Sequence, residues 1–357
     1  MAAPQVREPA PPESAEPAVR PPRSTRGFVL RGAGLLVVLG VLALTALVSV
    51  AVGSRQIPLG TVLDVLVHRD SSNDAIVVWD LRIPRTLLGI AVGAALGLAG
   101  ALMQALTRNP LADPGLLGVN AGAATAVVVA IAFLGLSSPT AYVWCALLGA
   151  AVAAGAVYLL GSQGRGGASP VRLALAGTAI TAALTAFISA ITLTNTDVFD
   201  QYRFWAVGAL AGRDASVLGQ VVPFLAVGTV LGLALARPLN AVALGEDTAR
   251  ALGAHLGRTR ILGAVAITLL CGAATAAVGP IGFVGLTIPH IARAITGPDQ
   301  RWVLSYSVVL APILLLASDI LGRIVARPGE VEVGIVTAAL GAPFFIALVR
   351  RRRIAQL

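Results

Sequence analysis

The chain has 357 residues, 57% of them hydrophobic and 12% charged, with a net charge of +9. A soluble domain carries roughly 25% charge, and here apolar runs of 18 or more residues recur, each long enough to cross a bilayer core of about 30 Å. The composition therefore excludes an ordinary soluble domain and points to an all-α, polytopic membrane protein; the short alternating segments of a β-barrel are absent.

All 26 basic residues are Arg, with no Lys anywhere. A Walker A loop needs its Lys to reach the β/γ-phosphates, and Schiff-base and Ser-Lys chemistry need Lys too. The chain is expected to be no enzyme and to hold no cofactor of its own, so any driving ATP and its Mg would bind another polypeptide. The three histidines, His68, His255 and His290, form no metal spacing. Cys145 and Cys271 lie in apolar stretches and read as small buried hydrophobes.

In chain order, residues 1–27 read as a disordered cytoplasmic tail, rich in Pro, Glu and Arg. Residues 28–357 read as one transmembrane domain. Ten spans fall near 28–52, 86–106, 116–136, 141–161, 171–193, 215–236, 259–278, 281–296, 302–321 and 333–349. Pro280 breaks the long run between the seventh and eighth. With ten spans the termini share a side. Placing them inside puts 18 arginines on inner segments and 8 on outer ones, so both are expected in the cytoplasm of a multi-pass plasma (inner) membrane protein.

Intramembrane acids that could couple ions are scarce. Asp319 stands one turn from Arg323, and Asp113 lies in the turn-rich segment TRNPLADPG, where Asn109 and Asp113 cap turns. The spans are instead dense in Ala and Gly, which favour close helix approach. An ion-coupled secondary transporter and a membrane scaffold are weaker alternatives.

Residues 237–258 interrupt this pattern. Glu246 and Asp247 sit at a helix start, Glu246 can pair with Arg250, Ala249 and Leu252 make a small apolar face, Gly253 stops the helix and Gly257 ends a second turn. Two short helices near the membrane surface are expected, with an exposed apolar ridge. Either an ordered loop or a docking ridge would give this pattern.

Several long motifs in order carry a resemblance: residues 81–123 (LRIPRTLLGIAVGAALGLAGALMQALTRNPLADPGLLGVNAGA), 204–210 (FWAVGAL), 244–253 (LGEDTARALG), 279–293 (GPIGFVGLTIPHIAR) and 327–345 (RPGEVEVGIVTAALGAPFF). From about 28 to 350 the chain resembles FecCD-family permeases, the membrane subunits of ABC importers for iron-siderophores, haem and cobalamin. The segments YRFWAVGALAGRD and GRIVARPGE look most like ferric-siderophore permeases, catecholate types included. The resemblance implies a type II ABC importer fold. Its expected partners are a second permease subunit, identical or paralogous, two cytoplasmic ATPase subunits, an extracytoplasmic binding protein, a ferric siderophore as cargo and membrane lipid, with no nucleic acid. It implies coupling to the ATPase through Leu244, Gly245, Glu246, Asp247, Ala249, Arg250, Leu252 and Gly253. Binding-protein docking falls on Arg82, Arg85 and Arg323; Arg82 and Arg85, just before span two, are expected to be exposed for carboxylates. Gln300, Ser318 and Glu332 depart from residues frequent in the family. Cobalamin or haem is the alternative cargo.

Overall fold

The computed structural model describes residues 25–136, 138–163, 170–251, 253 and 255–350, so most of the proposed tail lies outside the described residues. The described chain is helical throughout. After α1 (Thr25–Ala51) come two short helices, α2 (Leu59–Val67) and α3 (Asn73–Ile76), and a π-helical turn over Val77–Arg82 that runs into α4 (Ile83–Thr107). A 3-10 turn, Pro114–Leu117, leads to α5 (Val119–Leu134), α6 (Pro139–Ser162), α7 (Pro170–Thr194) and the short α8 (Thr196–Ala206). Then follow α9 (Ala215–Ala234), the short pair α10 (Ala236–Ala243) and α11 (Glu246–Ala251), α12 (Leu256–Val278), α13 (Val284–Thr296), α14 (Gln300–Val325) and α15 (Val333–Arg350).

The ten expected spans coincide with α1, α4, α5, α6, α7, α9, α12, α13, α14 and α15. Seven of these are long and apolar enough to cross a membrane by themselves; α5 and α15 are shorter apolar helices. α13 has 13 residues, about 20 Å at 1.5 Å per residue, less than a bilayer core. Within the expected stretch 281–296 the helix begins only at Val284. The break at Pro280 is real: α12 ends at Val278, and Gly279 takes φ 80°. A Cβ there would stand 2.1 Å from the Trp205 carbonyl oxygen, so only glycine fits.

Turn chemistry starts several helices. Asp214 accepts from the Ser216 and Val217 amides, Asn195 from Val198 and Asp299 from Arg301, each satisfying a donor that the first helical turn leaves free. In the segment after α4, Asn109 accepts from Leu111 N and Asp113 from Gly115 N, as the sequence suggested.

Small residues bring the long helices together. α4 is the most buried, and its glycines form a seam: a Cβ on Gly93 would stand 2.6 Å from Pro312 Cα, on Gly97 2.4 Å from Ala311 Cβ, and on Gly100 1.9 Å from the Gly285 oxygen. α4 therefore touches α14 along one side and the start of α13 lower down. The α5–α6 crossing uses Gly122 and Gly149, each facing the other's carbonyl. In lipid such packing replaces the hydrophobic effect as the source of association. α1 is the least buried of the long helices: one face packs on α14, and large apolar side chains such as Leu36, Leu44 and Leu47 are exposed.

Candidate functional site: charged clusters at two ends of the bundle

Polar side chains gather at two ends. One end carries α2, α3 and the starts of α4 and α15; the other carries α10, α11 and the starts of α1, α12 and α14.

The first cluster is built around the end of α1. The last carbonyls of a helix have no intrahelical donor, and here arginines from elsewhere supply one. Arg82 Nη1 donates to Val50 O (2.9 Å) and Ala51 O (2.7 Å), and its Nη2 to Arg55 O (2.7 Å). Arg323 Nη1 donates to Ser49 O (2.7 Å) and Val52 O (3.0 Å). Arg327 Nη2 donates to Gly53 O (3.0 Å). Cations at a helix C-terminus also meet the negative end of its dipole. Gly53 leaves room for this arrangement, because a Cβ there would be 2.5 Å from the Arg82 guanidinium.

Asp319, 0% exposed, is the hub. It accepts from Arg85 Nη2 (2.6 Å) and Nε (3.1 Å), and pairs with Arg323 on its own helix. Arg85 Nη1 reaches Glu330 (2.7 Å), whose other oxygen accepts from Ser54 Oγ (2.8 Å). Burial works against the Glu330 charge, yet Arg85, Ser54 and Arg323 together hold its carboxyl below the usual range. Burial raises the nearby Glu332 carboxyl; Arg85 pulls it down, while Glu330 and Asp319 add to the rise.

The pairing of Asp319 with Arg323 matches the one-turn spacing. The exposure expected of Arg82 and Arg85 does not hold: Arg82 is only 5% exposed, and the Arg85 side chain 13%. Carbonyls at the α1 end and carboxylates 234 and 245 residues along the chain claim these guanidinium groups first. Glu330 was not singled out as a site residue; its place in the GRIVARPGE segment was the available signal. Two clefts flank Arg85. One of about 170 Å³ is lined by Ser54, Arg55, Arg82 and Glu330, and one of about 460 Å³ by Asp80, Arg213, Asp214 and Glu330.

The second cluster contains the short helices. α11 and the left-handed Gly253 (φ 80°) fall where the sequence put a helix and its stop. Gly257 instead lies inside α12, which starts at Leu256 and continues as the expected seventh span. Arg250 pairs with Asp247 at 2.9 Å; the side chain of Glu246 and the whole of Leu252 lie outside the described residues. Ala249 does not form an exposed ridge. It is fully buried against Val242 and Leu256, pinning α11 to α10 and α12, while Leu244 is 64% exposed. Gly245, at φ 103°, makes the turn between α10 and α11.

At the same end as the short helices, His290 Nε2 lies 2.8 Å from Pro110 O, and Gln104 bonds Arg293 and the Leu286 carbonyl. These contacts tie the TRNPLADPG segment and α4 to α13. Cys145 and Cys271 are free thiols.

Comparison with known proteins agrees with the geometry. Residues 41–351 match the FecCD transport family. The chain is 49% identical over 329 residues to the ferric enterobactin transport system permease protein FepD of Escherichia coli (strain K12), covering 92% of this chain and 96% of that one. It is 36% identical to the hemin transport system permease protein HmuU of Yersinia pestis, over 93% and 97% of the two chains. A metal-chelate type ABC transporter solved in an inward-facing conformation superposes with a TM-score of 0.78 at 27% identity, covering 90% of this chain and 99% of that one. The chain belongs to the FecCD transport family and is a multi-pass permease subunit of an ABC importer for iron chelates or haem, a transport component and not an enzyme.

Proposed function

We propose that this chain carries a ferric siderophore, of the catecholate class, inward across the plasma (inner) membrane, with both termini in the cytoplasm. The observation that carries the cargo is the 49% identity, over nearly the whole of both chains, to a ferric enterobactin permease; the hemin permease, at 36%, supports haem less well. The arginine asymmetry supports the orientation, which makes the α10–α11 end cytoplasmic and the Asp319 cluster outer.

In this reading a second permease subunit, two cytoplasmic ATPases and an extracytoplasmic binding protein complete the machine, and ATP and Mg are held by the ATPases. Coupling runs through residues 244–253. Of the described side chains there, Leu244 is the exposed apolar contact, Asp247 and Arg250 are the polar ones, and Ala249 holds the helix in place. Docking at Arg82, Arg85 and Arg323 takes a modified form, because these arginines already have internal partners. A carboxylate from the binding protein would approach through the clefts beside Arg85 and compete with Glu330 for it.

Uptake of radiolabelled iron chelates tests the cargo. Cells lacking the chain lose ferric catecholate uptake and regain it on complementation, and vanadate stops it in energised vesicles. Normal catecholate uptake without the chain, or rescue of cobalamin or haem uptake alone, overturns the assignment.

A further inference from the structure

The α10–α11 end has a second polar feature, separate from the coupling segment. A cleft of about 720 Å³ opens between the start of α1, α10 and the start of α14. Arg31 and Arg301 line it, with Phe28, Trp302 and Ser305. Among the described residues neither guanidinium makes an ion pair. The acid in the lining, Asp299, is already engaged: it accepts from Asn240 Nδ2 (2.7 Å) and from Arg301 N (3.0 Å). Asn240 Oδ1 in turn accepts from Gln300 N (2.8 Å). The first amides of α14 are thus used within the fold, and Ser305 Oγ donates to Arg301 O (2.8 Å), so what the cleft offers a ligand is two arginines and the acceptor side of a hydroxyl, with one excess positive charge.

Two further features say what kind of anion fits. Phe28 and Trp302 pack edge to face with ring centroids 5.2 Å apart, and Trp302 meets Tyr306 in the same way. Tyr306 Oη donates to Arg31 O (2.7 Å), fixing the backbone that carries Arg31. Aromatic rings of this kind mark the height of the lipid headgroups. Beside the cleft, α1 presents Phe28, Val29 and Leu30 bare, and stays apolar and exposed up to its far end. A free phosphate would use the arginines but gain nothing from this surface. A phospholipid would use both, with its acyl chains along α1.

The geometry points to a binding site for an anionic phospholipid, with the phosphate between Arg31 and Arg301, the rest of the headgroup against Ser305 and the acyl chains on α1. The leaflet follows from the sidedness proposed above; the site itself does not depend on cargo or coupling.

Native mass spectrometry of the full chain in mild detergent, with phosphatidylglycerol and phosphatidylcholine offered at equal concentration, tests this. The wild type retains phosphatidylglycerol and not phosphatidylcholine. A basic residue near a membrane surface contributes about a fivefold preference for anionic lipid, so R31Q/R301Q loses roughly thirtyfold and R301Q alone about fivefold. R31K/R301K keeps most of the binding, and R203Q, at the opposite end, all of it. If R31Q/R301Q does not fold, R301Q and the lysine pair still decide the matter. Retention equal in wild type and R301Q overturns the proposal. So does displacement of the lipid by inorganic phosphate alone, which would make this a soluble-anion site. Binding that shows only after removal of residues 1–24, which carry Glu8, Glu13 and Glu16, would mean that one of the chain's own carboxylates fills the cleft, and overturns it as well.

Discussion

The two ends of this permease hold charge in opposite ways. Around Asp319 the guanidinium groups of Arg82, Arg85 and Arg323 are enclosed and committed to carbonyls or carboxylates of their own chain. Along 244–253 the charges of the described side chains, Asp247 and Arg250, are exposed and pair one helical turn apart, and Leu244 is exposed too. A buried ion network contributes little net stability against an apolar substitute, but losing one member leaves the others charged and unpaired in a low dielectric. Exposed pairs contribute about 0–1 kcal/mol. The Asp319 end should therefore be sensitive in folding and the α11 end mainly in function. Substitutions at both ends test that contrast.

The largest effect is expected at the hub. Asp319→Ala leaves Arg323 without a carboxylate and Arg85 with Glu330 alone, and removing one partner of a buried pair costs about 3–5 kcal/mol. Thermal unfolding in detergent should show a large drop in Tm and poor yield. A variant as stable as wild type would mean that water enters the cluster freely, and the contrast between the ends would fail. Arg82→Gln comes next. It removes three donors to Val50, Ala51 and Arg55; with charged hydrogen bonds contributing about 1.5–3 kcal/mol each and some replacement by water, a loss of about 2–3 kcal/mol is expected. The same argument changes how a charge-reversal test of docking reads. Arg82→Glu with Arg85→Glu places acids beside Asp319 and Glu330, so lost binding-protein affinity counts as docking only if the variant's Tm is first shown to be unchanged.

The pH dependence of this end is smaller and has two signs. Glu330 has a depressed folded pKa, so its contribution is present above its unfolded value and is lost as pH falls through the folded one. Glu332 has a raised folded pKa, so its contribution is present below the unfolded value and is lost as pH rises through the folded one. Glu332→Gln should therefore raise Tm slightly at neutral pH with little change in acid, while Glu330→Gln should lower it at neutral pH and converge with wild type in acid. Parallel Tm profiles for both variants across that range would contradict these assignments.

How much of this was legible in the sequence depends on range. Apolar runs and the Pro280 break located the long helices because each signal is local. α10 was missed because it lies in the polar interruption after residue 236, where Arg237, Pro238 and Asn240 mask its helical period, and α13 was drawn three residues too long because Ile281 and Phe283, which precede it, are as apolar as the helix itself. Asp319 and Arg323 were readable as a pair from their spacing. Arg85 with Asp319 was not, since no periodicity links positions 234 apart. The exposure expected of Arg82 followed the habit of placing boundary arginines in water. It overlooked the unpaired carbonyls at the end of α1, which needed donors from somewhere. Ala249 was read as ridge instead of core because a six-residue helix shows too little periodicity to choose its buried face.

The smallest stability effect carries the sharpest functional claim. Leu244 is 64% exposed and contributes little to the packing of α10, α11 and α12, which rests on Val242, Ala249 and Leu256. Leu244→Asp should change stability within about 0.5 kcal/mol, as ordinary surface substitutions do. If the residue contacts an ATPase groove, an acid there must be desolvated against an apolar wall, and ATPase co-purification and vanadate-sensitive uptake should both fall. Ala249→Leu gives the reverse pairing, because overpacking a tight site costs about 1–3 kcal/mol and shifts α11 bodily. The two variants separate a contact from its support: loss of coupling at unchanged Tm in Leu244→Asp marks a contact, while coupling lost only together with Tm, as in Ala249→Leu, marks scaffolding. Wild-type uptake by Leu244→Asp would remove coupling from this residue and leave the exposed Asp247–Arg250 face to carry it.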